Sequence, residues 1–148
     1  MATAADALGG GPDRILLVDD EEAIRLALSR FLRMRGYVVE TASSGAAALA
    51  LLERDTFQLM VCDVRMPGIT GLELVPQALA IDADLAVVML SAVNDGPTAT
   101  RALSSGACDY LMKPIELSHL RDAVTRALER RAARRRAAHP SGGGAALE

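Results

Sequence analysis

The stretch Leu59-Met60-Val61-Cys62-Asp63-Val64-Arg65-Met66-Pro67-Gly68 runs four apolar residues into one aspartate and then breaks at a proline and a glycine. A short apolar run closed by breakers reads as a strand buried on both faces, with Asp63 at its carboxyl end. In open parallel α/β sheets, ligands and chemistry collect outside those carboxyl ends. Asp63 alone supports two readings, a polar strand terminus or the working residue of a site. The rest of the chain decides between them.

Working outward, the pattern repeats. Residues 15–18 are a continuous apolar run ending in Asp19-Asp20. From Glu21 the period changes: Ile24, Ala27, Leu28 and Phe31 recur at three-to-four spacing with Arg25, Arg30 and Arg33 between them, predicting a helix that stops at Gly36. Residues 37–41 form a second short strand, and Ser44 opens an Ala-rich helix to about Arg54 that leads into the strand at 58–63. A further helix is predicted over 72–81. Pro76 cannot donate a backbone hydrogen bond, so that helix either starts late, with Pro76 in its first turn, or kinks there. Residues 85–90 are a fourth buried strand, ending at Ser91. Asn94-Asp95-Gly96-Pro97 is a cap-and-start signal for a helix through about Ser105, closed by Gly106. It offers mainly Ala99, Ala102 and Leu103 to a core and is expected to be the most loosely held of the five. Residues 108–112 form the fifth strand, followed by Lys113-Pro114. Leu117, Leu120, Val124 and Leu128 mark the inward stripe of a last helix. Five strands alternating with five helices, joined by right-handed crossovers, predict a doubly wound α/β fold with both sheet faces covered.

With 148 residues the chain is long enough for one domain with a proper core and too short for two of ordinary size. The expected division is a disordered, Gly-rich arm over 1–12, the domain over 13–130, and a basic helical extension with a Gly-rich tail over 131–148. Past Arg130 the apolar stripe gives way to Arg and Ala, so any helix there is expected to leave the body of the domain and be solvated. No apolar run approaches a membrane span, and the first residues lack the basic start and apolar middle of a signal peptide. Cys62 and Cys108 both fall in predicted buried strands without CxxC spacing, as reduced core thiols of a cytoplasmic protein would. Residues 1–120 carry 9 basic against 16 acidic side chains and residues 121–148 carry 7 against 3. The body is therefore acidic, which argues against direct nucleic-acid binding by this domain.

At the carboxyl ends of the strands stand Asp19 and Asp20, Asp63, Ser91, and Lys113 followed by Pro114. Three carboxylates at one sheet edge repel unless a cation joins them, and a hard divalent ion with oxygen ligands is the natural partner; Mg²⁺ suits such a site. Lys113 adds a point charge and Ser91 a hydroxyl able to hydrogen-bond an oxyanion. A carboxylate nucleophile, a metal, a cation and a hydroxyl are together what phosphoryl transfer to an aspartate requires.

In these residues the chain resembles the receiver domains of bacterial two-component response regulators, over residues 14–130. The resemblance rests on Val18-Asp19-Asp20-Glu21, on Asp63-Val64-Arg65-Met66-Pro67-Gly68 with Gly71, on Ser91-Ala92, on Gly106-Ala107 before Asp109-Tyr110-Leu111, and on Lys113-Pro114. Each fragment is weak alone; together, in order and at strand ends, they are specific. The resemblance implies a flavodoxin-like sheet of strand order 2-1-3-4-5. It implies that Asp63 is the phosphoacceptor and that Asp19, Asp20 and Asp63 hold Mg²⁺ together with the backbone carbonyl of Arg65. Ser91 would bind a phosphoryl oxygen, Lys113 would pair with the acceptor and then the phosphoryl group, and Ala92 would leave access to the aspartate. The Lys113-Pro114 bond is expected to be cis. Tyr110 would be the switch aromatic, moving with Ser91.

Plainer readings stand beside these. Asp19-Asp20 also suits a helix-capping acidic turn, Ser91 an ordinary strand-end hydroxyl, Lys113-Pro114 a turn, and Tyr110 a half-buried core tyrosine. His119 and His139 read as surface residues. The function implied is a switch that takes a phosphoryl group from a sensor histidine kinase or phosphotransfer protein and controls an output domain or protein partner. Self-modification and hydrolysis at Asp63 would be its only catalysis. The competing readings are a phosphate-independent scaffold, an aspartate-dependent phosphohydrolase, and a flavodoxin-like cofactor binder. The hydrolase usually needs an acid/base carboxylate soon after its nucleophile, and Val64-Arg65 offers none. The cofactor binder needs a Gly-rich loop after the first strand, where Asp19-Asp20 stands instead. About 18 residues follow Arg130, too few for a DNA-binding or catalytic module. The expectation is thus a single-domain regulator or a receiver continuing through a helical linker into a longer protein. The fourth helix and fifth strand are the face through which a homodimer would form.

Overall fold

Val, Leu, Ile and Met in short unbroken runs build the centre of the molecule, because side chains that alternate to opposite faces are all buried only where both faces are covered. In the computed structural model, which describes residues 11–92 and 96–138, the strands are β1 (Arg14–Val18), β2 (Val38–Ala42), β3 (Leu59–Asp63), β4 (Ala86–Ser91) and β5 (Asp109–Met112). The helices between and after them are α1 (Glu22–Met34), α2 (Gly45–Arg54), α3 (Gly71–Ile81), α4 (Gly96–Ser104) and α5 (Leu117–Ala138). The five strands are all parallel in the order β2-β1-β3-β4-β5, the flavodoxin-like arrangement that the resemblance implies. Every residue of β3 and β4 is buried, whereas the edge strand β2 buries Val39 and Ala42 and leaves Val38 and Thr41 exposed. The amino-terminal residues 1–10, residues 93–95 with the predicted Asn94-Asp95 cap, and the tail from His139 lie outside the described residues.

Alternation splits the core into two layers. Leu16, Val18, Met60, Cys62, Val87 and Met89 face α2, α3 and α4, while Ile15, Leu17, Leu59, Val61, Val88 and Leu90 face α1 and α5. Each fully buried Leu or Ile contributes roughly 1.5–3 kcal/mol relative to exposure.

The helix starts follow local chemistry. Ser44 caps α2 by accepting the Ala47 N–H at 3.1 Å, and Thr70 with Glu73 forms a complete capping box at the start of α3. That box fixes α3 at Gly71, so the late start considered for Pro76 does not occur. Pro76 is the sixth residue of α3, exposed, where it withholds one intrahelical bond. Gly36 and Gly106 follow α1 and α4 with φ of +98° and +119°, the left-handed conformation that ends helices. α4 buries only Thr98 and Ala102, which is the light anchorage its sequence suggests.

Three expectations are corrected. Leu117 is 44% exposed rather than part of the inward stripe of α5, which consists of the buried Leu120, Ala123, Val124 and Ala127 with the half-buried Leu128 packed beside them. Leu117 opens the helix, beyond the cover of the sheet, and small alanines fill the positions against it. Cys108 is half-buried and stands one residue before β5, while Cys62 is fully buried; both thiols are free. Past Arg130 the helix is solvated as expected, residues 132–138 all being exposed, but it keeps two contacts with the domain: Arg131 Nε donates to the Asp84 carbonyl at 3.1 Å, and Arg135 pairs with the Asp84 carboxylate at 2.7 Å.

Candidate functional site at the carboxyl edge of the sheet

Register brings the predicted residues together. β1 and β3 are neighbours with Val18 opposite Cys62, so Asp19 and Asp63 end adjacent strands side by side. β4 pairs with both β3 and β5, placing Leu90 opposite Asp63 and Ser91 opposite Met112. Lys113 therefore follows directly on the far side, where its N–H donates to the Ser91 carbonyl at 2.7 Å. The Lys113-Pro114 peptide is cis, as expected.

Lys113 Nζ lies 2.8 Å from Asp19 Oδ2, 3.0 Å from Asp63 Oδ2 and 3.2 Å from Glu21 Oε1. Asp19 is completely buried and Asp63 nearly so, whereas Asp20 is exposed at the mouth. One carboxylate oxygen from each of Asp19, Asp20 and Asp63 falls within 4.8 Å of the others. This all-oxygen, anionic set fits a hard divalent cation such as Mg²⁺ and does not fit a soft one.

Both oxygens of the two buried aspartates have work. Asp19 Oδ1 accepts the Glu21 N–H at 2.9 Å at the entrance to α1, while Oδ2 takes Lys113. This is an Asx turn leading into α1 rather than a cap: Glu21 is the N-cap residue and no side chain caps the helix, so the capping reading of Asp19-Asp20 does not hold. Asp63 Oδ1 accepts the Arg65 N–H at 3.2 Å, and Oδ2 takes Lys113. Burial raises the Asp63 carboxyl above the usual aspartate range; the Lys113 hydrogen bond opposes this and the Asp19 charge adds to it. Burial disfavours the Lys113 ammonium, but its hydrogen bonds to Asp19 and Asp63 prevail and hold it above the ordinary lysine value. Cys62 donates its thiol to the Asp63 carbonyl at 3.3 Å and is driven far up by burial and then by the charges of Asp63 and Asp19, so it is no nucleophile.

Ser91 is fully buried at the end of β4 and Ala92 beyond it is exposed. Tyr110 pairs in register with Met89 and packs, half-buried, against the layer that α2, α3 and α4 cover. Since Ser91 is two residues after Met89, Ser91 and Tyr110 project to the same face of the sheet.

Three contributions escape sequence reasoning, two of them made by residues, Glu21 and Gly71, that the motifs above include without a role. Glu21 was legible as part of an acidic run, but not as the third partner of Lys113. Arg25 donates to the Asp19 carbonyl at 2.6 Å, which ties α1 to the pocket floor. Gly71 must be glycine because a Cβ there would collide with the Asp63 carbonyl oxygen. The loop closes so tightly because the Gly71 N–H reaches the Val64 carbonyl at 2.8 Å, while Val64 N–H is held by the Leu90 carbonyl at 2.8 Å.

A flavodoxin-like sheet with a lysine-bridged cluster of aspartates at its carboxyl edge defines the class of molecule. Residues 15–125 match the family described as the response regulator receiver domain. The chain belongs to that family and is a receiver domain of two-component systems. It is 42% identical over 118 residues to the response regulator MprA of Mycobacterium leprae, covering 80% of this chain and 51% of the relative. The curated relatives it matches are longer, and the chain spans between 19% and 52% of them. A CheY-like response regulator receiver domain protein from Methanospirillum hungatei superposes with a TM-score of 0.80 at 28% identity, covering 84% of this chain and 99% of the other. A response regulator protein from Burkholderia pseudomallei, solved with a phosphorylated aspartic acid, a calcium ion and citrate, gives a TM-score of 0.73 at 26% identity over 86% of this chain and 75% of the other. Among the described residues no helix is long and apolar enough to cross a membrane.

Proposed function

We propose that the domain is a phosphorylation-operated switch in which Asp63 accepts a phosphoryl group from the phosphohistidine of a sensor histidine kinase or phosphotransfer protein. The observation that carries this reading is the bridge made by Lys113 between Asp19 Oδ2 and Asp63 Oδ2. It brings the Asp63 carboxylate together with a fixed cation and the buried Asp19 carboxylate, with Asp20 at the mouth of the same pocket. The phosphorylated aspartic acid of the Burkholderia pseudomallei relative supports the same chemistry.

An Asp63 carboxylate oxygen attacks phosphorus in line, an O–P bond forms, the N–P bond to the donor imidazole breaks, and the product is an acyl phosphate. Mg²⁺, held by Asp19, Asp20, Asp63 and the Arg65 backbone carbonyl, would supply charge neutralisation for the phosphoryl oxygens. Lys113 is tethered to both buried aspartates, so its ammonium can follow the developing charge without crossing solvent. Asp19 keeps its Oδ1 on the Glu21 N–H and so holds its orientation as Oδ2 changes partner. Ser91 donates its hydroxyl to a phosphoryl oxygen, and Tyr110, on the same face, turns inward as Ser91 moves. α4 is positioned to respond because so little of it is buried. The altered face of α4, β5 and α5 then acts on an output domain or protein partner, or pairs with a second copy. This places the domain in the cytoplasm, where such kinases present their phosphohistidine.

Intact-protein mass after incubation with Mg²⁺ and acetyl phosphate tests the reading. A single phosphoryl adduct on the wild type, absent from Asp63→Asn and abolished by chelator, is expected. An unmodified wild type that also fails to bind a beryllium fluoride mimic would instead favour a phosphate-independent scaffold.

A further inference from the structure

The last helix continues well past the end of its buried face. Its inward residues finish at Ala127 and the half-buried Leu128, yet α5 runs to Ala138. Residues 131–138 carry only Arg and Ala, good helix formers that extend an already nucleated helix but, without a buried face, are free to fray at its end. Arg131 and Arg135 stand four residues apart on one side of the helix, and both reach the turn that enters β4. Arg131 Nε donates to the Asp84 carbonyl at 3.1 Å, and Arg135 Nη1 donates to Asp84 Oδ2 at 2.7 Å.

The turn is built to receive them. The Asp84 N–H is held by Asp82 Oδ1 at 2.9 Å, and the Leu85 N–H by the Asp82 carbonyl at 3.2 Å. Burial, followed by the charge of Arg135, lowers Arg131 below the ordinary guanidinium value, and the charges of Asp82, Asp84 and Asp13 oppose that shift. Two arginines therefore face three carboxylates at the amino ends of the strands, on the side of the sheet remote from Asp63.

We propose that Arg131 and Arg135 clamp residues 131–138 to the acidic turn before β4, so that α5 leaves the domain in one fixed direction as a rigid connector. The clamp is electrostatic and can be released without disturbing the core, since no large apolar side chain takes part. Its acceptor lies at the opposite end of β4 from Ser91, so one strand joins the connector's anchor to the pocket.

Amide hydrogen exchange of the full chain, read by mass spectrometry, tests the clamp. Asp84→Ala, which keeps the carbonyl accepting from Arg131, and Arg131→Gln should each speed exchange over residues 131–138 by about threefold. The double variant should speed it about tenfold, with residues 117–130 unchanged. Asp84→Arg should behave like Asp84→Ala, and adding Arg135→Asp should bring the rate back toward the wild type. A double variant that exchanges at the wild-type rate, or a charge-exchanged pair as fast as Asp84→Arg alone, would overturn the proposal. So would acceleration spread evenly over the chain.

Discussion

Lys113 is the residue on which the pocket balances. Its side chain is 11% exposed and touches three carboxylates, so removing it leaves Asp19 and Asp63 buried together without a counter-charge. Breaking such a pair from one side costs about 3 kcal/mol. Lys113→Met should show that loss in thermal unfolding with chelator present, and Mg²⁺ should raise its Tm by more than it raises the wild type's. Equal stability in chelator would mean that Lys113 does not neutralise the pocket. Asp63→Asn has the opposite sign. The ionised carboxylate is held at a cost from burial and from Asp19, while Lys113 retains Asp19 and Glu21 as partners, so in chelator the variant should gain about 1 kcal/mol. A loss of that size would show that the Lys113–Asp63 contact outweighs the repulsion. The identities of these residues were legible because each follows an apolar run and precedes a breaker or a helix start. Their partners were not: that Glu21 turns back to Lys113, 92 positions away, depends on side-chain directions that no periodicity records.

An element's fit is set as much by what it lacks as by what it packs. α3 can begin beneath β3 only because Gly71 has no Cβ to meet the Asp63 carbonyl oxygen, and that oxygen belongs to a fully buried central strand that cannot yield. Gly71→Ala should therefore cost about 3 kcal/mol in denaturant unfolding and slow phosphoryl acceptance by displacing Asp63. Gly96→Ala, where an added Cβ meets nothing within 4 Å, should stay within about 0.5 kcal/mol of the wild type. Similar costs at the two positions would remove the steric account. Helix and strand order followed from periodicity, but the details that failed share one cause. The spacing of large apolar residues predicts Leu117, Leu120, Val124 and Leu128 as the inward stripe of α5; Leu120, Val124 and Leu128 do face the core, while close contact with the sheet adds Ala123 and Ala127 and leaves Leu117 at an open end. Likewise Pro76 left two options for α3, and the Thr70–Glu73 capping box, a contact between side chain and backbone, rules out the late start.

At the scale of the whole molecule, the charge division seen in the composition becomes a spatial one. The acidic body presents Asp13, Asp82 and Asp84 to the basic end of α5, a match invisible in the chain because Arg135 and Asp84 are 51 residues apart. The proposed domain boundary near residue 130 follows from where burial stops. Leu120, Ala123, Val124 and Ala127 close the layer beneath α1 and α5 with Leu128 packed at its edge, and past Arg130 the contacts of α5 with the body are those of Arg131 and Arg135 with Asp84. Ending the chain after Arg130 should then leave a cooperative fold, weaker by about 1 kcal/mol for two partly exposed polar contacts, with Tm lower by about 3–4 °C. Phosphoryl acceptance should be unchanged, since Asp63 lies at the other end of the strands. Ending it after Asp122 removes Ala123, Val124 and Ala127, uncovers β4 and should abolish cooperative unfolding. Calorimetry on the two truncated chains separates the cases: if ending the chain after Arg130 also destroys the transition, residues 131–138 are part of the core architecture rather than a clamped connector, and the boundary must move toward Ala138.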